Sequence, residues 1–252
     1  DMFIPNLLAG ENGNLDILQL EGNDSRILEY MRTGRVTHSA KNRNPSFVTN
    51  RATKSMTTIF TSMIFPQRNQ IKGKMEEGCK FLDIGCGNGD LIIDFAHMFK
   101  NSVFIGVDPD VYVIEKAERS LEECGLVDRV KVESLCGEEI NNQEEFDMVS
   151  LVLTLHEIPP ETRLEALTKA FQALKEGGLL LILDYPYPGI LEDFRNPRYS
   201  YGIIDQYFEA ISGVVHISRE EQDELLFNAG FKHIERMPVG DRGMLDFITA
   251  TK

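Results

Sequence analysis

The chain is short of basic residues, cysteine pairs, long apolar runs and internal repeats, and each shortage excludes something. Against 40 Asp and Glu stand 26 Lys and Arg, for a formal net charge of −14. Nonspecific nucleic-acid binding needs a basic surface, so this balance argues against it. The deficit is uneven. Residues 1–76 hold ten Lys/Arg against seven Asp/Glu, and the remainder 16 against 33. That asymmetry fits a plain solvated surface, or a mildly basic lid over an acidic core. Cys79, Cys86, Cys124 and Cys136 form no C-x-x-C pair and sit in or beside apolar stretches. Free thiols in a reducing cytoplasm are expected, with neither disulfide nor zinc site. No apolar run reaches the ~18 residues of a membrane span, and no N-terminal segment has signal-peptide design. A cytoplasmic chain without membrane or nucleic-acid partner is therefore expected. It opens on Asp1, which reads as processing or excision from something longer. With 252 residues and 42% hydrophobic content it can build one α/β domain with an added lobe.

What is present is organised around Phe81-Leu82-Asp83-Ile84-Gly85-Cys86-Gly87-Asn88-Gly89-Asp90. An apolar run meets glycines at alternate positions, and a helical pattern (Leu91, Ile92, Phe95, Ala96, Phe99) follows at once. This predicts a buried strand, a tight turn and a helix whose free N–H groups face the turn. Val103–Val107 reads as the next strand and ends on Asp108, 19 residues past Gly89. An acid at that tip can accept hydrogen bonds from ribose hydroxyls. The spacing is G-x-G-x-G, not the G-x-G-x-x-G of dinucleotide sites.

The rest of the chain places these motifs. Residues 1–22 read as a loose arm, a helix capped by Asn23 or Asp24 runs to Arg32, and another spans Thr49–Phe65 before Pro66. Residues 1–75 are thus an expected N-terminal helical cap. From residue 76 strand and helix alternate: strands at Lys80–Ile84, Val103–Val107, Val130–Leu135, Asp147–Leu153 and Leu179–Leu183, and helices at Asp90–Phe99, Val111–Cys124 and Pro160–Lys175. The last of these helices is expected to stop at Gly177-Gly178. Ser218-Arg219-Glu220-Glu221 is a capping box opening a helix to Gly230. Phe231–Met237 and Leu245–Thr251 close the chain as strands.

Gly85–Gly89 after Leu82-Asp83-Ile84, with Asp108, resembles the first two motifs of class I S-adenosylmethionine-dependent methyltransferases. The resemblance covers residues 76–252. It implies a Rossmann-like α/β fold: a seven-stranded, mostly parallel sheet with the last strand antiparallel and helices on both faces. It also implies S-adenosyl-L-methionine as cofactor and S-adenosyl-L-homocysteine as product. By position, Asp83, Gly85, Cys86, Gly87, Gly89, Asp108 and Pro109 would bind the cofactor. Cys136 and Gly137 (with Glu138 a further candidate) stand near the expected adenine contact, and Leu153 closes strand four.

Ligands of open parallel sheets sit beyond the C-terminal strand ends, so strands four and five should face the substrate. Strand four runs into Leu155-His156-Glu157-Ile158. A histidine there can take a proton from an attacking hydroxyl. The same stretch, followed by an amphipathic helix and Gly-Gly, resembles small-molecule O-methyltransferases, in which this histidine is the general base. Their orienting acid falls here on His216, counted back from Ala229-Gly230-Phe231, so the carboxylate is apparently missing. His156 and His216 are the catalytic candidates. No metal is assigned, although the two histidines with Glu157 or Asp184 could hold a divalent ion.

The insertion at 185–217 carries Tyr185, Tyr187, Tyr199, Tyr201 and Tyr207. With Glu157 and Asp184 these are the candidate substrate contacts, a pocket for a planar, apolar or cationic small molecule. The Asp/Asn-Pro-Pro-Tyr signature of DNA amino-methyltransferases is absent. The expected function is methyl transfer to a small molecule, at a hydroxyl oxygen. The alternatives are a protein or carrier-tethered acyl acceptor (metal-assisted, at carbon) and a noncatalytic cofactor-binding module. The oligomeric state stays open, with a homodimer among the options.

Overall fold

A computed structural model describes residues 32–33 and 56–252. The apolar stretches pair into one sheet: β1 (Lys80–Ile84), β2 (Val103–Asp108), β3 (Val130–Ser134), β4 (Phe146–Val152), β5 (Leu174–Asp184), β6 (Lys232–Val239) and β7 (Leu245–Thr251), in the order β3-β2-β1-β4-β5-β7-β6. Strands β1 to β5 are parallel, and β7 lies antiparallel to both β5 and β6. The chain steps outward from β1 to β3 and then returns to β4 on the other side of β1. The C-terminal ends of β1 and β4 therefore flank a crevice, where ligands of such sheets bind.

Strand periodicity sends alternate side chains to opposite faces, and each face has its own core. Phe81, Leu181 and Leu183 join Phe60, Phe95, Phe104 and Phe247 on one face. Leu82, Leu180 and Ile182 join Leu167, Ala170, Leu226 and Phe231 on the other. Strands buried on both faces need continuous apolar runs, which is why these segments stand out in the sequence. The first face is held by edge-to-face rings, Phe60 on Phe95 at 5.3 Å and Phe60 on Phe247 at 5.9 Å between centroids.

Helices α1 (Asn69–Glu77), α2 (Asp90–Met98), α3 (Val111–Cys124), α4 (Pro160–Ala173), α5 (Ser200–Glu209) and α6 (Arg219–Ala229) complete the described elements used below. Most of the expected N-terminal cap lies outside the described residues, including the arm at 1–22 and the helix from Asn23 apart from Arg32. Its described end is core: Met56, Ile59, Phe60, Ile64 and Phe65 are buried, and Phe60–Ile64 wind as a π-helix. The capping box forms as read, Ser218 accepting from the Glu221 N–H and Glu221 from the Ser218 N–H.

One expected boundary is wrong. Helix α4 stops at Ala173, and β5 starts at Leu174 instead of Leu179. Leu174 is fully buried and pairs with Phe146 across β4, with a register shift before Met148. Tertiary pairing thus claims Leu174–Gly178 for the sheet despite the helical pattern and the glycine pair.

Candidate active site

Two groups of residues meet at the crevice, one from β1 and β2, the other from β4, β5 and the insertion. The β1 turn is built on glycine for steric reasons. Gly85 has φ 76°, and a Cβ there would stand 2.3 Å from the Thr154 Cγ2. Gly87 has φ 54°, and a Cβ there would meet nothing within 4 Å, so this side of the turn is open. The Gly87 N–H donates to Asp108 Oδ2 at 3.0 Å, and the Asp110 N–H to Oδ1 at 2.9 Å. Asp108 thus fastens the turn to the tip of β2 while each oxygen keeps accepting capacity. Burial lifts its pKa above the usual carboxylate range, against the pull of the two N–H bonds.

Asp83 lies beneath this turn, buried, and accepts the Ser150 hydroxyl at 2.5 Å. Burial pushes its pKa up to about 7 in spite of that bond. An ordinary Asp ionises near 3.9 in the unfolded chain, so between about pH 4 and 7 the folded protein binds the extra proton. Its contribution to stability is full below that window and is lost as pH rises through it. Asp83→Asn is expected to flatten this loss. Thermal unfolding at pH 5 and pH 7.5 should show a smaller drop in the variant, by up to about 2.5 kcal/mol. Equal drops would show that Asp83 is ionised throughout.

The second group is centred on His156. Leu153, the residue after β4, lies in the left-handed region, φ 53°, a conformation that costs a branched side chain of order 1–3 kcal/mol. It turns the chain sharply, and the Glu157 and Ile158 N–H groups close on the Thr154 carbonyl. His156 is thereby buried between β5 and the insertion. Its Nδ1 lies 2.6 Å from Asp184 Oδ1, and its backbone N–H donates to Asp184 Oδ2 at 3.3 Å. Asp184, expected to meet substrate, is buried and is the carboxylate that holds the His156 ring. It also accepts the Tyr185 N–H. Burial alone lowers the proton affinity of His156. The charge of Asp184, its hydrogen bond, Glu157 and Asp205 raise it more, and its pKa is pushed up to about 10. Burial opposes ionisation of Asp184, but His156 holds its carboxyl below the usual range.

His216 sits where the orienting acid was sought, but it stacks on His156, rings 4.3 Å apart and 11° from parallel. Helix α5 supplies what holds it. His216 Nε2 lies 2.9 Å from Asp205 Oδ2, and its backbone N–H donates to Gln206 Oε1 at 2.7 Å. Asp205 also reaches 3.6 Å from His156 Nε2, and Glu209, one turn on, 4.0 Å. Arg163, buried at the start of α4, donates to the carbonyls of His156, Ile158 and Val215. It locks the His156 turn to the segment carrying His216.

The other candidates divide. Tyr187 stacks on His216 at 5.5 Å, and Tyr185 lies 6.1 Å from both histidines with its phenol kept neutral by burial and nearby carboxylates. Tyr201 packs against the core. Tyr199 stands among Asp193, Arg198 and Asp246, and Tyr207 is 42% exposed. Cys86 turns its sulfur under the loop toward Gly106, where an added Cβ would stand 2.6 Å from it. The Cys86 N–H donates to the Val107 carbonyl, and the Cys86 carbonyl accepts from the Gly89 N–H. Pro109 is exposed. Cys136 caps a short 3₁₀ turn at Gly137–Glu139, and Gly137 is packed so that a Cβ would lie 3.2 Å from Ala166 and Ile84. Asp205, Glu209 and Arg163 were not picked out from the sequence. The Asp205–Glu209 spacing, four residues on one helix face, was the available signal.

A methyltransferase-domain family matches residues 81–178. A carboxy-S-adenosyl-L-methionine synthase of Mannheimia succiniciproducens is 30% identical over 169 residues, 61% of this chain and 69% of that protein. The chain belongs to the class I S-adenosylmethionine-dependent methyltransferases. Solved methyltransferases share its fold. An O-methyltransferase family protein from Burkholderia thailandensis (17% identity, TM-score 0.67) covers 94% of this chain, over 69% of its own. The mitomycin 7-O-methyltransferase MmcR (19%, TM-score 0.65) covers 91%, over 67% of its own. Methyltransferases of this class use S-adenosyl-L-methionine, and the turn fits it: an open glycine edge at Gly87, N–H groups at the start of α2, and a carboxylate at Asp108. No helix among the described residues of this methyltransferase is long and apolar enough to cross a membrane.

Proposed function

We propose that this methyltransferase acts on a small molecule and methylates a hydroxyl oxygen presented to His156. The observation that carries the reading is the buried His156–Asp184 pair, 2.6 Å apart, at the end of the strand beside the glycine turn. Bound S-adenosyl-L-methionine supplies an electrophilic methyl group on a sulfonium. What the chain must add is alignment of the acceptor oxygen and a place for its proton. Asp184 fixes the imidazole through Nδ1, so Nε2 is the nitrogen aimed at the acceptor side. Tyr185 and Tyr187 wall that side with rings whose polar tips can meet a polar acceptor. With the methyl donor bound, the acceptor oxygen would form its bond to the methyl carbon as the carbon–sulfur bond breaks. The hydroxyl proton would pass to Nε2 of His156 in its neutral form, so the rate would rise with pH towards about 10.

The charge of the pocket narrows the acceptor. Asp184, Asp205, Glu157 and Glu209 all face the histidines. A carboxylate brought there would be repelled, which disfavours the product for which the Mannheimia relative is named. Neutral or cationic acceptors fit. The test is to incubate the protein with methyl-labelled S-adenosyl-L-methionine and panels of phenols, alcohols, amines and carboxylic acids. Labelled methyl ethers from the hydroxyl panel are expected. Label appearing only in the carboxylic acid panel, or on carboxylated cofactor, overturns the reading.

A further inference from the structure

We propose that the His156–His216 site holds one divalent first-row transition-metal ion, ligated by His156 Nε2, His216 Nε2 and Asp205 Oδ2. The proposal rests on the methyl-transfer reading for its purpose but on geometry for its existence. These ligand atoms all lie within 4.8 Å of one another. Asp205 Oδ2 stands 2.9 Å from one imidazole nitrogen and 3.6 Å from the other. Ligands about 2.1 Å from one ion lie roughly 3.0–3.4 Å apart in octahedral or tetrahedral arrangements. Both spacings from Asp205 are therefore close to those around a common centre, and the third is bounded at 4.8 Å. Two imidazoles and one carboxylate suit manganese, iron, cobalt or zinc better than calcium or magnesium.

The surroundings match what metal-bound histidines have. His156 reserves Nδ1 for Asp184, a carboxylate–histidine arrangement that leaves Nε2 outward and raises its basicity. Both rings are buried, the His216 side chain to 1% exposure. The two imidazoles lie parallel at 4.3 Å, beside Asp184, Asp205 and Glu209, an arrangement of neutral nitrogen donors and carboxylates that suits a bound cation. A single cation between their nitrogens and Asp205 satisfies all three. Glu209 and Glu157 form a second carboxylate set around His156, so an ion there would be held in a strongly acidic cup. Two ligands come from the insertion and one from the β4 turn, and Arg163 ties the two segments together. The site is thus assembled by the tertiary fold, Asp205 from helix α5, His156 from the turn after β4 and His216 from the segment before α6.

With the ion in place, Nε2 of His156 gives up its proton to solvent and binds metal. An acceptor hydroxyl that binds the ion loses its own proton more readily, to a neighbouring carboxylate such as Glu209. The oxygen then forms its bond to the methyl carbon while the carbon–sulfur bond breaks, and the sulfur leaves neutral. The sequence assigned no metal, because residues 156, 205 and 216 have no ligand spacing along the chain.

The test is calorimetric titration of the full chain, stripped with a chelator, against manganese(II) and zinc(II). One ion per chain is expected. Asp205→Asn and His216→Ala should each weaken it at least tenfold, about what loss of an outer partner alone costs. Asp184→Asn should weaken it by about 10–100-fold. Circular dichroism melts of each variant show whether it is folded. The Asp205→Asn variant is isosteric and alters a side chain 28% exposed, so it reports even if the histidine variant unfolds. No stoichiometric binding, or binding untouched by Asp205→Asn, overturns the site. Failure of the methyl-transfer reading looks different. Ion binding as described with no labelled ether refutes that reading and leaves the metal site standing. Ether formation by chelator-stripped protein that binds no ion refutes the metal and leaves methyl transfer standing.

Discussion

Replacing His156 by alanine is expected to lower turnover by about 10²–10⁴-fold, the range for loss of a group that takes the acceptor proton itself or ligates the ion that makes that proton leave. Cofactor affinity should stay within about twofold, because His156 belongs to the β4–β5 side of the crevice and the glycine turn to β1 and β2. Asp184→Asn should lower turnover less, since an amide can still hold the ring through Nδ1 but cannot neutralise charge on it. Initial rates with a hydroxyl acceptor, together with calorimetry of cofactor binding, separate the two effects. Rates within a factor of two of the parent in both variants would mean that the acceptor is already nucleophilic, as an amine or a thiol is, and that alignment alone carries the reaction. A matching loss of cofactor affinity would point to collapse of the crevice instead, since Asp184 is buried between β5 and the turn that follows β4.

Asp108→Ala is expected to weaken S-adenosyl-L-methionine and S-adenosyl-L-homocysteine alike, by about 10²–10⁴-fold, or about 3–6 kcal/mol. Two losses add. One is the pair of hydrogen bonds a carboxylate there can accept from a ribose, each about 1.5–3 kcal/mol when charge-assisted. The other is the clamp on the turn itself, because the Gly87 and Asp110 N–H groups both donate to this carboxylate. Asp108→Asn keeps one acceptor oxygen and should recover part of the loss. Affinities unchanged in Asp108→Ala would remove the acid from the cofactor site.

Much of this was legible because it is local. The alternation of apolar runs and helical patterns from residue 80 onward needs only periodicities of 2 and 3.6, and the mostly parallel seven-stranded sheet followed from the family that the glycine motif resembles. Gly85 and Gly87 could be read as obligatory since their backbone angles are fixed by the turn they make. The β5 boundary could not be read that way. Leu174 is helical by pattern and strand by partner, and the partner, Phe146, lies 28 residues away.

The sequence by itself determined the sheet, the glycine turn, Asp108 at the tip of β2 and His156 beyond β4, for these depend on neighbours along the chain. Only the tertiary structure decided the charge around His156. An acid beside His156 was sought near residue 216, whereas the carboxylate bonded to its ring is Asp184, on the neighbouring strand. Asp205 and Glu209 look like ordinary solvated residues of a helix until that helix packs beside the histidines. Electrostatic environment is set by distances of a few ångströms through space, and a burial that strips away solvent magnifies each of them. Neither quantity exists until the chain has folded.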